Sequence, residues 1–145
     1  AADTYGVCEY LDRMRLDRDL AFDAPEIPLA YHGHCHQKAT KRDHHAVAVL
    51  RRAGYTVDAL DSGCCGMAGS FGYEAEHYSM SQSIADVLDR QIAESSGEVV
   101  VAPGASCRSQ LADRTESREE FGASEQPPHP IEALDRALLA DNGTA

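Results

Sequence analysis

Three short apolar runs, each delivering the chain into a cysteine-bearing loop, constrain this sequence more than any other feature. Residues 27–31 lead to His32-Gly33-His34-Cys35-His36, residues 55–60 lead to a glycine-rich loop around Cys64-Cys65, and Val99-Val100-Val101-Ala102 leads to Pro103-Gly104-Ala105-Ser106-Cys107. The last run is continuously apolar, the pattern of a strand buried on both faces. Between the runs lie stretches with helical spacing. Residues 39–53 turn Ala46, Val47, Val49 and Leu50 inward, with Gly54 just past the end, and residues 74–93 gather Met80, Ile84, Val87, Leu88 and Ile92 on one face. A short helix is expected near Ser106. Strand and helix alternating three times predict an α/β fold, a Rossmann-like three-layer sandwich with a mostly parallel sheet of about four strands. The fourth strand is expected just before His129, ahead of a final helix running from Pro130 through Leu139.

The remaining segments are plainer. Residues 5–20 carry Val7, Leu11, Met14, Leu16 and Leu20 near helical spacing, and Pro25 and Pro28 stop that pattern, so residues 1–25 read as an N-terminal helical segment. Residues 115–128 are polar and proline-bearing and read as a loop, and residues 141–145 as a fraying end. A chain of 145 residues fits one domain, 1–145. No apolar run approaches the ~18 residues of a membrane span and the start lacks a signal peptide, so a cytoplasmic protein without a membrane span is expected. The chain opens on Ala1 and not Met, which suits a piece of a longer polypeptide whose partners are covalently attached.

Charge narrows the partners. The formal net charge is −11, from 24 acidic against 13 basic residues, and Lys38 and Lys41 are the only lysines. Such a surface repels nucleic acid and other polyphosphates. An acidic, lysine-poor, arginine-retaining surface also suits a halophilic protein, because concentrated salt screens its self-repulsion. The glycine-rich loop matches neither G-x-G-x-x-G nor a P-loop, and no lysine lies beside it, which argues against nucleotide binding there.

The cysteines carry the chemistry. They number five, and four of them stand in short motifs, which points to metal binding or redox chemistry in a reducing compartment more than to a disulfide framework. In a parallel sheet the loops leaving the carboxyl ends of the strands share one edge. Cys35, Cys64, Cys65 and Cys107 each follow a predicted strand, so four thiols distant in sequence are expected on that edge, with His129 joining them if a fourth strand precedes it. Strands ~4.8 Å apart bring such sulfurs within reach of one multi-atom cluster. The consecutive pair Cys64-Cys65 binds two metal atoms of a cluster more easily than it closes a small ring on one ion, which favours iron–sulfur over zinc. Gly63, Gly66, Gly69 and Gly72 permit close backbone approach, while helix N-termini after Cys35, near Tyr73 and near Ser106, with Arg108 and Lys38, offset the negative charge of thiolates. His32, His34 and His36 alternate with Cys35, so at most one or two of them share its site. Cys8 reads as a buried apolar residue, and His44 and His45 as surface or packing residues.

Residues Asp61-Ser62-Gly63-Cys64-Cys65-Gly66-Met67-Ala68-Gly69-Ser70-Phe71-Gly72-Tyr73, with residues 31–39 and 103–108 and the run His129-Pro130-Ile131-Glu132-Ala133-Leu134, resemble the cysteine-rich CCG domain. That domain occurs in heterodisulfide reductase B subunits and in the iron–sulfur subunits of glycolate oxidase and anaerobic glycerol-3-phosphate dehydrogenase. It also ends FAD-linked D-lactate dehydrogenase-like proteins, the group this chain resembles most. The resemblance implies a [4Fe–4S]-type cluster, or in some members zinc, held by Cys35, Cys64, Cys65 and Cys107, with His34 and His129 as further metal-ligand candidates and Gly63, Gly66 and Arg108 around the cofactor. It also implies an electron-transfer module with no turnover of its own. FAD would sit on another domain, with flavin-binding and ferredoxin-like iron–sulfur domains as partners, a quinone or other acceptor downstream, and an inner-membrane-face location reached through partners. The family's final Cys-x-x-Cys departs here, since Gly104 replaces its first cysteine. That departure argues against a five-thiolate noncubane site and leaves four thiolates with room for a histidine or water. Two other functions compete: a structural or regulatory zinc domain that docks a partner, and a thiol–disulfide catalyst built on Cys64-Cys65 with Cys35 or Cys107 resolving.

Overall fold

A computed structural model describes residues 4–15, 17–115 and 126–139. Its strands are β1 (Leu29–Tyr31), β2 (Val57–Ala59) and β3 (Val99–Val101), all parallel and ordered β2-β1-β3. Leu29 lies opposite both Val57 and Val99, so the three strands end level with one another. The helices are α1 (Val7–Met14), α2 (Cys35–Ala39), α3 (His44–Arg52), α4 (Tyr78–Glu94), α5 (Ala105–Thr115) and α6 (Pro130–Ala137).

Alternation along the strands sorts side chains into two layers, as a sheet requires. Leu29, Tyr31, Val57, Val99 and Val101 pack toward α1, α3 and α6 with Val47, Leu50, Tyr55 and Leu134. Leu60, Val100 and Ala102 pack on the opposite side with Leu88 and Ile92 of α4 and Leu111 of α5. The expected α/β fold is therefore present, with helices on both faces.

The sheet has three strands among the described residues, not four. The segment before His129 gives one backbone bond, from Ala102 N–H to the Pro128 carbonyl at 3.1 Å. Pro127, Pro128 and Pro130 lack N–H groups, so that segment cannot extend a ladder. The expected loop over 115–128 and the frayed end over 141–145 fall mostly or wholly outside the described residues, as does Leu16.

Helix boundaries shift for local reasons. α1 stops at Met14 because Arg15 turns left-handed at φ 52°. The helix expected over 39–53 is α3 and starts only at His44, because left-handed Lys41 at φ 55° separates it from α2, which ends at Ala39. Ahead of α4, residues 71–73 and 75–77 form two 3₁₀ turns separated by extended Glu74, so no long helix starts near Tyr73. The buried face of α4 is Ser81, Ala85, Leu88 and Asp89, while the expected Met80 and Val87 are 57% and 45% exposed. α6 ends at Ala137 because Leu138 leaves it to bridge Phe22. Gly54, at φ 105°, stands just beyond α3 as expected.

Candidate metal centre

With order β2-β1-β3, the connection from β1 runs to one side of the sheet and the next one crosses back over β1 to place β3 on the other. Loops after the central strand and its neighbours open a crevice at such a reversal. Cys35 is the first residue of α2, Cys64 and Cys65 lie in the loop after β2, and Cys107 is on the first turn of α5. The sulfurs of Cys65 and Cys107 lie within 4.8 Å of each other there, and Cys35 and Cys64 stand near enough to each other and to that pair to influence its titration. Cys65 and Cys107 are buried, Cys64 is half-buried and Cys35 exposed. The site thus has an apolar floor, where Cys65 and Cys107 join Met67, Leu88 and Leu111, and an open rim.

Backbone donors supply part of the electrostatics. Gly66 N–H donates to Cys64 Sγ at 3.2 Å. Gly66 needs to be glycine: its φ is 96°, and a Cβ there would run into the Ser81 carbonyl of α4. Gly63, by contrast, faces open space. Cys65, Cys107 and Cys35 are each shifted by burial and by neighbouring thiols. The hydrogen bond from the Cys107 thiol, opposed by burial and aided by the His32 ring and the Met67 N–H, holds Cys65 below the ordinary thiol range. The same bond, with burial, pushes Cys107 up, so the pair keeps one proton on Cys107. Burial and neighbouring Cys64 raise Cys35. Cys8 belongs to the other face of the sheet, where burial pushes it up to about 11.

The expected histidines go to different places. His34 Nδ1 accepts the His36 N–H at 3.3 Å as the N-cap of α2. A Cβ placed on Gly104 would stand 2.6 Å from His34 Cδ2 and 3.0 Å from Cys107 Sγ, so the His34 ring borders the space next to Cys107. His129 caps α6: its Nδ1 accepts Ile131 N–H at 3.1 Å, and Glu132 accepts the His129 N–H in return. Burial and Arg108 lower its pKa. Arg108 pairs with Glu132 at 3.8 Å. Lys38 Nζ donates to the Ser62 carbonyl and, at 3.0 Å, to Ser62 Oγ. Of the other pair, exposed His44 lies against His45 with the rings tilted by 36°, and His45 Nδ1 lies 2.6 Å from Asp12 Oδ2.

His32 is the residue whose importance sequence reasoning missed. It is fully buried, and one of its ring nitrogens and the sulfurs of Cys65 and Cys107 all lie within 4.8 Å of one another. The available signal was strand parity. His32 N–H donates to the Val101 carbonyl, continuing the pairing of β1 with β3 by one residue, so His32 falls on the same side as Ala30 and opposite Tyr31. That is the side of Cys65 and Cys107.

These residues fit a soft-metal group. Thiolates with imidazole are the donors that iron–sulfur clusters and zinc take. His32 Nε2 is buried without a hydrogen-bond partner, and an unpaired buried polar atom calls for one.

Known proteins have similar sequences. The family model of the CCG cysteine-rich domain matches residues 29–112. In Escherichia coli K12, the C subunit of anaerobic glycerol-3-phosphate dehydrogenase is 35% identical over 127 residues, covering 86% of this chain and 30% of that protein. D-2-hydroxyglutarate dehydrogenase of Haemophilus influenzae is 34% identical over 87 residues, 59% of this chain and 8% of that protein. The enzyme of that name from Pseudomonas putida is 33% identical over 86 residues. The chain therefore spans less than a third of the relatives it matches.

Proposed function

Since the chain belongs to the CCG cysteine-rich domain family, we propose that it is the iron–sulfur electron-transfer domain of a larger flavin-linked dehydrogenase. The observation that supports this is that Cys35, Cys64, Cys65 and Cys107 all follow the carboxyl ends of the three parallel strands, with the sulfurs of Cys65 and Cys107 within 4.8 Å of each other. A [4Fe–4S]-type cluster held there supplies one-electron chemistry. Cys35, Cys64, Cys65 and Cys107 would hold it, the Gly66 N–H is already aimed at Cys64 Sγ, and Met67, Leu88 and Leu111 would keep water from its inner side. The half-open rim at Cys35 and Cys64 lets a partner's redox centre approach. His34 and His129 each spend Nδ1 on a helix cap, which leaves only Nε2 for a metal.

The relatives act, by their names, on glycerol-3-phosphate and D-2-hydroxyglutarate, which supports a small hydroxylated acid or phosphate ester as the substrate of the whole protein. FAD and the substrate site then belong to other domains, alongside ferredoxin-like iron–sulfur domains, and a quinone is a fitting acceptor. The five free cysteines suit the reducing cytoplasm, with the inner membrane face reached through partners. Among the described residues no helix is long and apolar enough to cross a membrane.

A structural zinc site is the second reading, favoured by the compact trio of His32, Cys65 and Cys107. Anaerobic reconstitution with iron and sulfide, followed by metal and acid-labile sulfide analysis and EPR of the reduced protein, separates the two. Equal iron and sulfide with a reduced-cluster signal is expected. Stoichiometric zinc without sulfide under the same conditions overturns the electron-transfer role.

A further inference from the structure

His32 is held from one side and open on the other. Its Nδ1 lies 2.6 Å from Ser62 Oγ, its Nε2 is buried without a hydrogen-bond partner, and one of the two ring nitrogens belongs to the trio with the sulfurs of Cys65 and Cys107. A neutral imidazole carries one ring proton, and its position decides what Nε2 can do. With the proton on Nδ1, Nε2 presents a lone pair and can ligate a metal. With the proton on Nε2, the ring is an N–H donor toward sulfur.

The surroundings of Ser62 distinguish these states. Lys38 Nζ has donors only, and it occupies one lone pair of Ser62 Oγ at 3.0 Å while also binding the Ser62 carbonyl. Ser62 is buried, so its hydroxyl proton needs an acceptor, and among its described partners only His32 Nδ1 can accept. Once the serine donates to Nδ1, the ring proton must sit on Nε2. The reverse arrangement points two donors at one hydroxyl and strands its own proton in the interior, which is costly. The neighbouring backbone accommodates the lysine: a Cβ on Gly33 would stand 3.0 Å from Lys38 Cε and 3.3 Å from Asp43 Cβ.

We propose that Lys38 and Ser62 lock His32 in its Nε2–H tautomer, so that His32 is a positioned hydrogen-bond donor to the sulfurs of the metal centre and not one of its ligands. The inference rests on the iron–sulfur reading for its redox consequence, though not for the tautomer. Its three members come from α2, the loop after β2 and the end of β1, the segments that also carry Cys35, Cys64-Cys65 and the strand beside Cys107. An N–H donor spreads negative charge from a ligand sulfur and favours the reduced state, raising the potential.

The test begins on the metal-free, reduced protein, where the ¹⁵N resonances of labelled histidine report the tautomer without any substitution. Nε2–H is expected for His32, and Lys38→Met is expected to populate the Nδ1–H form. Finding Nδ1–H in the unaltered protein overturns the proposal. On the reconstituted protein, His32→Leu and Lys38→Met are expected to shift the midpoint potential to more negative values, the first by more, and pulsed EPR is expected to show only weak ¹⁴N coupling. Coupling of directly bound strength, or an iron loss on His32→Leu equal to that on Cys107→Ser, makes His32 a ligand and overturns it too. If the unaltered protein takes up zinc and no sulfide, the electron-transfer reading falls, while the tautomer measurement still judges the relay.

Discussion

Gly104 and His34 share a space at the residue scale. A Cβ at Gly104 would press on His34 Cδ2 at 2.6 Å and on Cys107 Sγ at 3.0 Å. Gly104→Cys, the residue that the family pattern places there, is therefore expected to cost ~1–3 kcal/mol as an overpacking change. Adding His34→Ala removes the crowded ring, and the pair is expected to be less destabilised than the two single costs summed, a coupling that urea unfolding of the metal-free single and double variants measures. The cysteine positions were legible in the sequence because each follows a strand signal directly. The role of His32 was not, since three histidines around Cys35 look alike until the parity of β1 and its pairing with Val101 separate them.

Among the elements, α6 shows how a local signal can serve two meanings. His129 sits before Pro130 and Glu132, and the structure uses it as a capping box. His129→Ala is expected to cost about 1 kcal/mol in thermal or urea unfolding, and His129→Ser, which keeps a capping oxygen, to recover most of it. Metal content of the serine variant then isolates any part the imidazole plays as a ligand, because the serine restores the cap alone. The strands were readable from their apolar runs, yet each is shorter than its run, since pairing and not hydrophobicity ends a strand. The break between α2 and α3 and the 3₁₀ turns before α4 depend on left-handed Lys41 and extended Glu74, non-glycine positions that no composition rule marks. The misjudged face of α4 has a similar cause: Ser81 and Asp89 are buried because they have partners, Gln110 Nε2 at 3.2 Å and Arg114 Nε at 2.6 Å.

Taken whole, the molecule joins α1 to the sheet domain through charge. Arg52 Nη1 donates to Asp12 at 2.6 Å, and its Nε donates to Asp17 at 2.6 Å. Burial would raise Asp12, but hydrogen bonds from His45 and Arg52 outweigh it and hold the carboxyl below its usual range; hydrogen bonds from Arg52 likewise lower Asp17 against burial. Groups with depressed folded pKa values stabilise fully above their unfolded value of ~3.9 and lose that contribution as pH falls through the folded value. The urea midpoint is thus expected to drop as pH falls below ~4, and Arg52→Ala to lower stability near neutrality by ~1–3 kcal/mol while flattening this acid limb. With a net charge of −11, the midpoint at neutral pH is also expected to rise with added potassium chloride, as screening relieves self-repulsion; a flat response would remove the support for a halophilic origin. The sequence by itself determined the alternation of strands and helices, the parallel sheet and the four cysteines at strand ends, because hydrophobic period and loop position are local properties of the chain. Only the tertiary structure decided the three-strand order, the two-sided core and the Lys38–Ser62–His32 relay, because these depend on which distant segments become neighbours, and pairing across the sheet is a property of space and not of spacing.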